Sequence, residues 1–167
     1  MAHDCALRGQ LEEYEEFHRS QRSNASALHL VYTCHELMPI AGSHSRSQQR
    51  IPCLGIGDRF RLIAYLLRVA IATRRVLLVD WSSPAPIEHF FLPARIDWRV
   101  TNSDRVNFES EPVHRWLGGL KAEPPRKRYL RIVGNTQWFD EIRLGSESKS
   151  AAVEHKYSCL WQFLFKP

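Results

Sequence analysis

The residues Gly55-Ile-Gly57-Asp58-Arg59 place two glycines, an acid and a guanidinium at one turn. Glycines let a backbone approach a ligand closely. A helix beginning at such a turn presents unpaired N–H groups and a partial positive charge to an anion, and an arginine adds a charge-assisted contact. That combination suits a diphosphate. Spacing alone leaves open whether Arg59 meets a phosphate or is simply solvated, and in either case it is expected to be exposed. Two further pairs, Asp80-Trp81 and Asp97-Trp98, set an acid beside an aromatic. Asp80 and Trp81 close a strand, where α/β sheets bind ligands, so all four residues are candidates for lining a cleft. Trp81 and Trp98 are equally explained as core, and Asp97 as the cap of a turn. No residue is assigned as catalytic base.

The glycines also imitate a dinucleotide fingerprint, with Asp80 lying 23 residues after Gly57, where an acid would take ribose hydroxyls. Two features count against it. Phe60 replaces the third glycine that close helix–strand packing needs, and the segment before the turn is short and contains Pro52, which cannot donate to a ladder. No Lys-Ser/Thr follows the glycines, which excludes a P-loop.

Metal chemistry is not indicated. Cys5, Cys34, Cys53 and Cys159 form no CxxC pair, and adjacent Cys34 and His35 are poorly placed to share one zinc. Disulfides are compatible with these cysteines in an oxidising compartment. The net charge of +5 suits an anionic ligand without requiring one. Five bases in 121–132 lie beside Pro124-Pro125 and read as a solvated loop rather than a nucleic-acid surface. The longest apolar segment, 62–72, is interrupted by Arg68 and is too short to span a bilayer. Asn24-Ala-Ser26 is a glycosylation sequon, a weak pattern by itself.

These residues must be positioned by regular elements. Leu11, Tyr14 and Phe17 form the apolar stripe of a helix over 9–20, part of a helical lead spanning 1–27. Residues 28–34 read as a strand. Residues 39–50, rich in Ser, Gln and Arg, read as a loop. With Asp58 as its cap, a helix is predicted over 59–73, burying Phe60, Ile63, Leu67, Ala70 and Ile71. Val76–Val79 is continuously apolar, as a strand covered on both faces should be. Strand, helix, strand implies an α/β fold over 28–167, a partial Rossmann-like parallel sheet with flanking helices, whose central strands are Leu30–Cys34 and Leu77–Asp80. Residues 99–127 look loop-rich, with Trp116-Leu117 as an anchor, and Tyr129–Val133 alternates as a strand. The apolar tail 157–165 must dock or continue.

The segment 55–98 resembles fucosyltransferase-like proteins, the grouping of α1,6- and protein O-fucosyltransferases. The likeness rests on the Gly-x-Gly-Asp-Arg turn, the Ala-x-x-Thr-x-Arg close of the helix, the Val-Asp-Trp strand end, Pro84-Ala-Pro86 and Ile96-Asp97-Trp98. Less sharply, it extends over most of 9–167. The resemblance implies the N-terminal domain of a GT-B glycosyltransferase, with GDP-fucose as donor substrate, a glycan or protein hydroxyl as acceptor, and no metal or other cofactor. It implies a secretory setting, although the chain shows no signal or membrane segment. It further implies that Gly55, Gly57, Asp58 and Arg59 face the donor diphosphate. The family's His-x-Arg donor motif lies downstream of a segment like 157–167, so the chain is expected to be truncated before the donor-binding domain, inactive alone, and left with an uncovered apolar tail. A Rossmann-type nucleotide-binding domain of another enzyme and a non-catalytic remnant or binding module are the alternatives.

Overall fold

The computed structural model describes residues 7–35, 55–109, 111, 113–115, 127–133 and 159–166. The predicted loop at 39–50 and the Trp116-Leu117 anchor lie outside the described residues. Four parallel strands form one sheet in the order β2-β1-β5-β4, with β1 at His29–Cys34, β2 at Val76–Trp81, β4 at Val113–Arg115 and β5 at Tyr129–Val133. The expected parallel pairing of the first two strands is present, with Leu30 opposite Leu77 and Thr33 opposite Asp80. Among the described residues, β1 and β5 are each flanked by ladders on both sides, whereas β2, expected to be central, has the β1 ladder on one side and a single parallel bridge from Val79 to Arg99 on the other.

Alternation sorts the strand residues onto two faces. Leu30, Tyr32, Leu77, Val79, Leu130 and Ile132 meet the helices α1 (Arg8–Gln21) and α2 (Ile56–Thr73) in one apolar cluster. Val31, Val76, Leu78 and Tyr129 meet Phe108 of a third helix, α3 (Asn102–Phe108), in a second cluster. Both faces are therefore covered, which is why every residue of β1 and β2 is buried.

The predicted first helix is present, but its buried stripe is Leu11, Tyr14 and His18, with Phe17 only partly buried. The Tyr14 hydroxyl donates to the Arg75 carbonyl (2.8 Å) and accepts from the Leu77 N–H (3.0 Å), so α1 is bonded to the leading end of β2. His18 Nε2 donates to the Leu77 carbonyl at 3.1 Å. The lead helix thus shares the core of the α/β unit.

Two expectations are corrected here. Residues 99–127 are not simply loop: α3 begins at a capping box in which Asp104 N–H donates to Thr101 Oγ1 (3.2 Å) and Thr101 N–H donates to Asp104 Oδ2 (2.8 Å). Its far end is gripped by Arg131, whose Nη1 donates to the carbonyls of Glu109 (3.1 Å) and Glu111 (3.0 Å). The apolar tail is not uncovered either. Residues 159–164 are helical and bury Leu160, Phe163 and Leu164 in the main cluster, and β6 (Phe165–Lys166) pairs antiparallel with β3 (Leu92–Pro93). Trp98 Nε1 donates to the Leu164 carbonyl at 2.6 Å. The tail docks onto its own chain because Phe60 offers it an aromatic hub, with Trp161 at 5.0 Å and Phe165 at 5.5 Å between ring centroids.

Candidate functional site

The site is assembled where β1 and β2 end, at the carboxyl edge of the sheet. On the α2 side, the helix starts three residues earlier than predicted. Gly55 is the cap and Asp58 lies inside the first turn, so Asp58 is not the N-cap. The backbone reason is direct: Asp58 and Arg59 N–H both donate to the Gly55 carbonyl, closing the first turn there. Among the described residues, a β-carbon on Gly57 would meet nothing within 4 Å, and one on Gly55 would meet Asp58 Oδ2 at 3.9 Å. Among the described residues, packing requires neither glycine, and the two stand at a helix terminus whose first N–H groups lack intrahelical acceptors.

Arg59 is not the exposed side chain expected from spacing. It is 7% exposed, with its guanidinium 4.6 Å over the Trp81 ring and Nη1 donating to the Ser83 carbonyl. Trp81 Nε1 donates to the same carbonyl at 2.7 Å. Burial lowers the Arg59 pKa from its ordinary value. The arginine is drawn inward because its position on α2 follows the cap Gly55 by about one turn, next to Phe60, which packs 5.5 Å from Trp81. Arg59 and Trp81 therefore fix the Ser82–Ser83 segment over the strand ends.

The opposite face of the same edge carries a polar relay. Asp80 is 2% exposed, and its Oδ2 accepts from His35 Nε2 at 2.6 Å. Its Oδ1 forms an ion pair with Arg105 Nη2 at 2.7 Å. With the proton on Nε2, His35 Nδ1 accepts from the Ser82 hydroxyl. Arg131 lies on the same face, where burial lowers its pKa and nearby Asp80 opposes that shift. This arrangement can hold an imidazole in one tautomer and hand a proton between a hydroxyl and a carboxylate-backed ring.

The remaining two candidates are elsewhere. Trp98 is fully buried in the main apolar cluster and lines no cleft. Asp97 does not join Asp80. The parallel bridge between Arg99 and Val79 explains why: Asp97 precedes its bridge by two residues, toward the amino edge, whereas Asp80 follows, toward the carboxyl edge. Asp97 is paired with Arg99 at 2.8 and 3.0 Å, and those hydrogen bonds hold its carboxyl below the usual range. It borders a cavity of about 440 Å³ at the amino edge, together with Arg22, Asn24, His29, Asp104 and Arg128.

Gly55, Gly57, Asp58, Arg59, Asp80 and Trp81 are thus gathered at one edge of the sheet. Sequence reading missed His35, Ser82 and Arg105. His35 directly follows a strand's carboxyl end, a legible signal; Arg105 sits on a helix whose Thr-x-x-Asp start was present but not read. Among the described residues, no three His, Cys, Asp or Glu side chains come together as a metal would require, and no helix is long and apolar enough to cross a membrane. Cys34 and Cys159 are both disulfide-bonded. No protein-family model, curated protein or solved structure matches this chain.

Proposed function

We propose that this domain forms one wall of a nucleotide-sugar cleft in a fucosyltransferase-like glycosyltransferase, taking GDP-fucose as donor and a glycan or protein hydroxyl as acceptor. The observation that carries the reading is the contact of Arg59 with Trp81 and Ser83. It joins the glycine turn and the Val-Asp-Trp strand end, two of the motifs on which the family likeness rests, at the edge where parallel α/β sheets bind ligands.

In such a transfer the sugar's C1–O bond to the diphosphate breaks and a C1–O bond to the acceptor forms. GDP leaves with the bonding electrons, and the acceptor proton goes to a base. The α2 terminus provides N–H groups suited to the charge that develops on the diphosphate. His35, set between Asp80 and Ser82, has the chemistry of the base. The GT-B arrangement, with a second domain completing the donor site, belongs to the same proposal. A dinucleotide site is less well supported. Residues 35–55 separate β1 from α2, whereas a fingerprint turn is tight, and Phe60 fills the helix–strand junction with an aromatic cluster.

Amide chemical shifts measured during titration with GDP-fucose test the reading. The expected result is weak, millimolar binding, because one helix terminus open to water supplies few aligned contacts. The shifts should map to residues 55–59 and 80–83, with GDP reproducing them and NAD not. Shifts confined to the amino-edge cavity, or absent altogether, would overturn it; micromolar affinity would place the whole donor site within these residues.

A further inference from the structure

The segment joining α1 to β1 was left unused by the carboxyl-edge site. It contains Asn24-Ala25-Ser26, the sole Asn-x-Ser/Thr tripeptide of the chain, with a non-proline middle residue. A sequon by itself is common. Its structural setting is specific.

Residues 23–26 are all exposed, so a large hydrophilic adduct on Asn24 would displace no core side chain. Asn24 Oδ1 accepts from the Ser26 N–H at 2.9 Å, which holds the amide and the hydroxyl-bearing residue of the tripeptide together in one turn. The Ala27 N–H donates to the Asn24 carbonyl at 3.0 Å, so the turn is closed by backbone as well. Among the described residues, the Asn24 Nδ2 group donates within its own surface segment, to Gln21 Oε1 at 2.7 Å. A second, independent observation concerns the compartment. Cys34 and Cys159 are disulfide-bonded, a state that persists in oxidising surroundings such as the lumen of the endoplasmic reticulum, where glycans are attached to asparagine.

We infer that Asn24 is an N-glycan acceptor site. In the modification, Nδ2 forms a bond to the anomeric carbon of a lipid-pyrophosphate-linked oligosaccharide. The bond from that carbon to the pyrophosphate oxygen breaks, the lipid pyrophosphate leaves with the electron pair, and the amide proton passes to a base of the transferase. The placement has a consequence for the molecule. Asn24 borders the cavity at the amino edge, so the glycan stands beside that cavity, at the edge of the sheet opposite Arg59 and His35. The inference is independent of the glycosyltransferase reading.

The test is intact-mass measurement on the full chain secreted from eukaryotic cells behind a cleavable signal, before and after treatment with peptide-N-glycosidase. Wild type and Ser26→Thr should carry one glycan, released to leave aspartate at position 24. Ser26→Ala and Asn24→Asp should carry none. Both preserve the turn, since Ser26 donates from its backbone and aspartate keeps the accepting oxygen; matching circular dichroism confirms folding. Alkylation of free thiols is measured on the same samples. An unglycosylated wild type overturns the inference, whether Cys34 and Cys159 are oxidised, meaning that the site is not used, or free, meaning that the disulfide argument fails.

Discussion

His35 Nε2 and Asp80 Oδ2 lie 2.6 Å apart, tying the ends of two parallel strands through a buried acid and an imidazole whose side chain is 25% exposed. The pairing is fixed by register: Thr33 is opposite Asp80 and Cys34 opposite Trp81, which brings His35 beside Ser82. Asp80→Asn should release the imidazole from a single tautomer and loosen Arg105. The expected readout is an exchange of ring-nitrogen shifts for His35 by NMR, with a stability loss of about 1–3 kcal/mol in urea. An unchanged tautomer would show that Asp80 does not orient the ring.

Arg59→Ala is expected to lower stability as well as ligand binding. Its guanidinium is buried over Trp81 and bonded to the Ser83 carbonyl, and losing a charged donor from such a site costs about 1.5–3 kcal/mol. Denaturant unfolding combined with the GDP-fucose titration separates the two effects. Arg59→Lys, which keeps charge but not the planar fork, should recover stability only in part.

Acid should weaken the fold in two windows. Burial holds the His18 and His29 pKa values down at about 4, against an ordinary 6.5. The unfolded chain therefore takes up protons first, so this contribution is complete above pH 6.5 and is lost as pH falls through about 4, at about 3 kcal/mol for each residue. Burial alone would raise Asp104, but hydrogen bonds from Arg22 and Thr101 outweigh it and hold the carboxyl at about 2. Its contribution, about 1 kcal/mol once solvent screening of the partly open pair is counted, is present above the ordinary 3.8 and lost on going down through pH 2. Urea unfolding at a series of pH values should show both windows, and His18→Gln should flatten the first.

Tyr14→Phe should cost about 1–3 kcal/mol, because the hydroxyl serves both the Arg75 carbonyl and the Leu77 N–H in a buried site. Hydrogen exchange at Leu77 is the local check: it should quicken in the variant, and an unchanged rate would mean that α1 does not stabilise the leading end of β2.

Leu164→Asp should destabilise the whole domain rather than fray one end. Leu164 is fully buried, its carbonyl accepts from Trp98 and Ala94, and its segment closes the cluster around Phe60. Thermal unfolding followed by tryptophan fluorescence is expected to shift to lower temperature as one transition. A second, independent transition would identify the tail as a separate unit.

Several features were legible from local pattern alone. The helical stripe beginning at Leu11, the apolar run Val76–Val79 and the alternation at Tyr129–Val133 each carry their period in sequence, and a βαβ order made the parallel pairing of β1 and β2 the natural outcome. The glycine turn and Asp80-Trp81 lie in one neighbourhood, as their order in sequence suggests, because a helix start and a strand end in such a unit share an edge. What only the tertiary structure decided depends on contacts between segments distant in sequence. The partners of Arg59 follow from how Phe60 and Trp81 pack, so its burial was invisible to spacing. Asp97 and Asp80 are both acids next to tryptophan, yet one bridge between Arg99 and Val79 sends them to opposite edges of the sheet. His35 gained its partners from strand register, and the apolar tail gained its own from Phe60 and Trp98. Periodicity determines which face of an element is apolar; only the packed fold determines what that face, and the polar groups at its ends, will meet.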